Sequence, residues 1–91
     1  MVRLDKYLKL SRLMKRRTVA QEMITIGAVR LNQKTVKPSS DVSEGDIIEI
    51  AYPRRVLVVR VLIDQEALLK RNLAPYEVVE ERYVDGEERP W

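Results

Sequence analysis

Apolar positions along this chain first follow a helical spacing and then an alternating one. Over residues 4–14, Leu4, Tyr7, Leu8 and Met14, with small Ser11 between them, recur at three- and four-residue intervals and predict one helix face. Lys6, Lys9 and Arg12 fall outside that stripe. Asp5 lies in the first turn, where a carboxylate suits the helix dipole and can also hold a neighbouring arginine in place. A second stripe, Val19, Ala20, Met23, Ile24 and Ile26, predicts a second helix from Val19. Thr18 and Gln21 match a capping box at its start, and Gly27 is placed to end it in a left-handed conformation. Helices this short are marginal alone, so both stripes must pack on each other and on a sheet.

The period then drops to two. Residues 28–32 alternate, with Val29 and Leu31 inward and Arg30 outward; Asn32 and Gln33 turn the chain and residues 34–37 return. Gln33 is a poorer turn residue than glycine because a positive φ costs it more. Residues 38–41 read as a loop, and Glu44, Gly45 and Asp46 as a turn before a strand over 47–51. The pattern breaks at 52–55. Residues 56–63 are almost continuously apolar and predict a well-buried strand. A short helix over 64–72 with Leu68 and Leu69 inward, a strand over 76–79 and a polar, mobile tail over 85–91 complete the chain. The expected fold is α+β: two short antiparallel helices on a small, bent, mostly antiparallel sheet, with a short C-terminal helix and strand.

Composition narrows the chemistry. The 91 residues include no cysteine and no histidine, which removes disulfides, thiol chemistry, the commonest metal ligand and the commonest general base. There is no phosphate-binding glycine loop, no calcium-loop spacing and no nucleophile beside a base. No catalysis, metal or cofactor is expected. No stretch reaches the ~18 apolar residues of a membrane span, and the N-terminus is charged from Arg3 onward, so a cytoplasmic protein without membrane contact is expected.

Net charge is only +3, but it is unevenly placed. Residues 1–37 hold ten Lys and Arg against Asp5 and Glu22, a net of +8, whereas residues 38–91 hold seven against twelve acids, a net of −5. One face suited to a polyanion follows, unless the charges interleave in space. The sharpest feature is Lys15-Arg16-Arg17-Thr18, a basic turn between the two helices. Arg16 and Arg17 there oppose the helix dipole by about 0.3–1 kcal/mol each. A phosphate at the helix N-terminus reverses the sign, since backbone N–H groups and arginine forks then point at one anion. For Lys6, Lys9 or Arg12 taken singly, an ordinary solvated helix face is the plainer reading.

The order of short motifs carries a family resemblance. Arg3-Leu4-Asp5-Lys6-Tyr7-Leu8, the basic turn, Gly27-Ala28-Val29-Arg30-Leu31-Asn32, Pro38-Ser39 and Gly45-Asp46 resemble the RNA-binding domain of ribosomal protein S-four across residues 3–51. Gln33 departs from the glycine usual there. The resemblance implies an RNA-binding domain over 1–52, with residues 53–91 an extension packed on it. Among free-standing versions, residues 3–18 are most similar to the RqcP family of ribosome-associated quality control; the heat-shock protein of fifteen kilodaltons is the related runner-up. A monomer is expected, and that likeness implies binding to rRNA and tRNA on large ribosomal subunits obstructed by peptidyl-tRNA. There it assists a partner that adds C-terminal residues to the stalled nascent chain. By motif position the resemblance points to Arg3 and Arg17, then Lys15, Arg16 and Thr18, and less strongly to Lys6, Arg12, Arg30 and Lys34 as RNA contacts.

Other readings stand beside this one: a ribosome-recycling or heat-shock factor of the same fold, and a protein-binding module with an incidental basic face. A helix-turn-helix DNA reader needs base-reading side chains early in the second helix, and only Gln21 offers one.

Overall fold

The computed structural model describes residues 1–71, 73–85 and 91. β1 (Val2–Arg3) runs directly into α1 (Leu4–Leu10), and α2 (Arg17–Thr25) follows the turn at residues 11–16. Next come β2 (Val29–Leu31), β3 (Lys34–Thr35), β4 (Asp41–Val42), β5 (Ile47–Tyr52) and β6 (Arg55–Val61). A single-turn helix, α3 (Glu66–Leu69), and β7 (Tyr76–Tyr83) end the order. The strands form one five-stranded sheet, β3-β2-β5-β6-β7, and a separate β1-β4 pair, with every pairing antiparallel. This is the expected α+β fold.

The helices are held by what their stripes bury. Leu4, Tyr7 and Leu8 of α1 and Ala20 and Ile24 of α2 share one core with Val29, Leu31, Ile48, Ile50, Leu57, Val59 and Val61 of the sheet. Each buried leucine or isoleucine contributes about 1.5–3 kcal/mol relative to exposure. Val19 and Ile26, expected on the inner stripe, are exposed instead. The inner face of α2 is therefore narrower than its sequence suggests.

Three helix boundaries differ from expectation. α1 stops at Leu10, not near Met14, and Arg12 adopts a left-handed φ of 67°. Continuing the helix would place Leu13 about 140° round the axis from Leu8, at ~100° per residue. The turn instead folds back, burying both Leu13 and Met14 while the Met14 amide donates to the Leu8 carbonyl at 3.0 Å. α2 begins at Arg17 with Arg16 as N-cap, and no side chain caps it. The Thr18–Gln21 capping box does not form. α3 covers only Glu66–Leu69 of the expected 64–72; Leu69 is buried, Leu68 is half-buried and Asn72 lies outside the described residues. Gly27, at φ 82°, ends α2 as expected, with the Ala28 amide donating to the Met23 carbonyl at 2.9 Å.

The sheet also differs in extent. β1 and β4, two residues each, are too short to read from a pattern, yet they seat α1. The Leu4 and Asp5 amides, otherwise unpaired in the first turn, donate to the Ser40 and Pro38 carbonyls at 2.8 and 3.1 Å. The β2–β3 turn places both Asn32 (φ 52°) and Gln33 (φ 67°) in the left-handed region, so the hairpin forms without the glycine. Asn32 explains its own place in the motif. Its amide nitrogen donates to Asp46 at 3.1 Å, and its carbonyl oxygen accepts from the Ile47 amide at 2.9 Å, fastening the turn to β5.

β7 is twice the expected length and pairs with all of β6, with an irregularity between Val58 and Val59. Its charges hid it. Glu77 and Glu81 bond to Arg60 and Arg55 across the ladder, so a polar stretch behaves as an edge strand. The tail expected over 85–91 lies outside the described residues at 86–90. Trp91 is described: its indole nitrogen donates to the Gly27 carbonyl at 3.2 Å.

Candidate nucleic-acid interface

The site is built around Asp5, a carboxylate fully buried in the first turn of α1. A buried charge is costly unless paired and hydrogen-bonded. Asp5 meets both conditions. Oδ1 accepts from the Lys6 amide at 2.7 Å and from Arg3 Nε at 3.2 Å. Oδ2 accepts from Gln21 Nε2 at 2.9 Å, Arg3 Nη2 at 3.1 Å and Arg17 Nε at 3.2 Å. Burial alone would raise the Asp5 pKa, but the bonds from Gln21, Arg3, Arg17 and the Lys6 amide together outweigh it and hold the group below its ordinary 3.8.

This cluster explains the failed capping box. Gln21 sits one turn into α2, and its amide satisfies a buried charge in place of an exposed helix end. The bond is worth more at the carboxylate, where hydrogen bonds to charged groups contribute about 1.5–3 kcal/mol. With Gln21 committed to Asp5, α2 also loses the one base-reading side chain that a DNA recognition helix would need.

The cluster holds two arginines on one anion without consuming them. Their side chains remain 47% and 42% exposed for Arg3 and Arg17. Arg17 spends only Nε on Asp5, so its outer guanidinium edge is available for a bidentate anion contact. Beside it, the first turn of α2 carries no acid, and exposed Arg16 and Thr18 flank Arg17 at the uncapped N-terminus. Lys15 is exposed in the turn just before, and Arg12 is exposed at its left-handed position. Sequence reasoning allowed Asp5 to hold a neighbouring arginine. That Gln21 would join Asp5 was not foreseen.

The other sequence candidates are placed elsewhere. Lys6 pairs with Glu66 of α3 at 2.5 Å, which joins the N-terminal helix to the C-terminal extension. Arg30 alternates with the buried Val29 and Leu31 and therefore lies on the sheet face away from the helices. Its Nη2 bonds Glu49 at 2.7 Å, and its guanidinium lies 4.6 Å from the centre of the Trp91 ring. Lys34 is exposed on the edge strand β3, opposite Leu31. The structure brings Arg3 and Arg17 together on Asp5, with Arg16 and Thr18 next to Arg17 in α2, and leaves Arg30 outside that group. Among the described residues no group of His, Cys, Asp and Glu is arranged to hold a metal ion.

Two short helices on an antiparallel sheet, with Arg3 at the start of the first helix and Arg17 at the start of the second held on one buried carboxylate, define a small α+β domain that presents fixed cations. The chain belongs to the S4 domain family, whose model matches residues 2–48. Over nearly its whole length it is similar to the RQC P-site tRNA stabilizing factor of Streptococcus pneumoniae, with 40% identity over 85 residues, 92% of this chain and 97% of that protein. The factor of the same name from Halalkalibacterium halodurans is 35% identical over 88 residues, covering 96% of this chain and all of that one. Among solved structures, the trimeric heat shock protein 15 of Vibrio cholerae superposes with a TM-score of 0.72 at 29% identity, covering 86% of this chain and 81% of that one.

Proposed function

We propose that this protein is a non-catalytic RNA-binding factor of ribosome-associated quality control. It acts in the cytoplasm as a monomer, contacting tRNA and rRNA on large ribosomal subunits obstructed by peptidyl-tRNA and assisting the factor that adds C-terminal residues to the stalled nascent chain. The observation that carries this reading is the buried Asp5, which fixes Arg3 at the start of α1 and Arg17 at the uncapped start of α2 on one carboxylate. A fixed guanidinium loses less entropy on binding phosphate than a free one. The full-length similarity to P-site tRNA stabilizing factors supports tRNA on the ribosome as the target.

The test is recovery of the tagged protein from cells in which translation is stalled, followed by sedimentation and RNA analysis. Association with free large subunits carrying peptidyl-tRNA, lost in Arg17→Ala, is the expected result. Sedimentation away from all ribosomal particles refutes the proposal. Association with intact ribosomes alone excludes the rescue role.

A further inference from the structure

A second basic groove lies between the end of α1 and the end of α3. It encloses about 370 Å³ and is lined by Lys9, Arg12, Lys70 and Arg71, with Leu73 and Pro75 at its wall. All four cations are exposed, and none of the described lining residues is acidic. The nearest acid on α3 is Glu66, whose Oε1 binds Lys6 at 2.5 Å and reaches Lys70 only at 3.6 Å. Helix dipoles account for Lys9 in the last turn of α1 and Lys70 at the C-cap of α3, yet four like charges around one groove repel one another.

A neighbouring depression lined by Lys9, Arg12, Met14 and Lys15 shares Lys9 and Arg12 with this groove. The cations therefore form a continuous track from the basic turn, through Arg12 and Lys9, to Lys70 and Arg71. Lys70 and Arg71 lie beyond residues 2–48, outside the matched S4 domain. We infer that the groove between α1 and α3 binds the phosphate backbone of an RNA strand, extending the RNA contact from the α1–α2 turn onto the C-terminal extension. This inference rests on the RNA-binding reading above and adds to it a second contact surface. RNA is the occupant favoured because several exposed cations without an acid among the described lining residues suit a run of phosphates, and counterions released along them add to affinity.

The experiment compares the full chain with the Lys70→Glu/Arg71→Glu variant for binding to unfractionated tRNA and to a 20-base-pair RNA duplex from 50 to 200 mM salt. The variant is expected to bind about tenfold more weakly near 150 mM, with the slope of log affinity against log salt shallower by about 1.4–1.8, the equivalent of two phosphate contacts. Because a new carboxylate beside Glu66 can fray α3, Lys70→Gln/Arg71→Gln serves as a second variant, with the melting temperature of each recorded. It should lose severalfold affinity at unchanged stability. Unchanged affinity and slope in both variants overturn the inference and leave the RNA-binding reading intact. Failure of the wild-type chain to bind either probe overturns both. Weakened binding to large ribosomal subunits with unchanged binding to naked RNA assigns the groove to a protein and also overturns it.

Discussion

Asp5 and Arg17 are twelve positions apart, and Asp5 Oδ2 meets Arg17 Nε at 3.2 Å where the carboxylate is wholly buried and the guanidinium is not. The acid serves as a fixed counter-charge that aims a cation outward. Asp5→Asn removes a negative charge and raises net charge by one, so simple electrostatics favours tighter RNA binding. The opposite is expected. Arg3 and Arg17 lose their anchor, so RNA affinity falls despite the added positive charge. Stability falls by about 1.5–3 kcal/mol, the contribution of hydrogen bonds to a charged group, since the arginines left behind are half-exposed and can be solvated. Titration of labelled tRNA well below the melting temperature checks it; tighter binding would sink the idea.

Thr18 and Gln21 should behave unlike a capping pair. Thr18 is exposed inside α2 and caps nothing, so Thr18→Ala should change stability by less than about 0.5 kcal/mol. Gln21→Ala strips a donor from a buried carboxylate and should cost about 1–3 kcal/mol. Thr18→Asp, in the first turn, should gain a few tenths of a kcal/mol from the dipole while weakening RNA binding more than alanine does. Chemical denaturation of the three variants gives the ranking, and a larger loss at Thr18 than at Gln21 would restore the cap.

Arg12 holds a left-handed φ of 67° that glycine adopts freely. Placing a non-glycine residue there costs about 1 kcal/mol. Arg12→Gly should therefore leave the fold as stable or slightly more stable, and should weaken RNA binding by removing one of the two cations, Lys9 and Arg12, that both basic depressions share. Paired melting and binding measurements separate the effects. Reduced stability with unchanged binding would show that the arginine side chain is needed for packing.

The pH dependence follows chiefly from two buried groups. Asp5 is held below its ordinary pKa, so its contribution is fully present above the unfolded value of about 4 and is lost as pH falls through the lower folded value. Tyr7 runs the other way. Burial, and to a smaller degree Tyr76, raises it above its ordinary 10.0, and its hydroxyl donates to the Pro75 carbonyl at 2.7 Å. Stability from the neutral phenol is complete below about pH 10 and is lost as pH rises toward the folded value. Denaturation midpoints across pH should show both limbs. Asp5→Asn should make the acid limb shallower and Tyr7→Phe the alkaline one, to which Tyr52, also raised by burial, adds a further part.

Period alone determined the order of the larger elements, because Leu4, Tyr7 and Leu8 or Val29 and Leu31 can be buried together only in a helix and a strand respectively. The glycine stop at Gly27 and the turn at Gly45, φ 91°, are equally local, since free access to a positive φ is a property of glycine itself. The motif order and the uneven charge pointed to RNA and to the basic turn. Tertiary structure decided which local options were taken. Gln21 could cap its own helix or bond Asp5, and only the packing of α1 against α2 makes the buried carboxylate the stronger claim. Lys6, Arg30, Lys70 and Arg71 are indistinguishable as cations in a sequence. Glu66 pairs with the first and more distantly with Lys70, Glu49 and Trp91 hold the second, while Lys70 and Arg71 line one groove with Lys9 and Arg12 only because α3 folds back against α1. A charge acts on what lies within a few ångströms of it, and those neighbours come from distant parts of the chain.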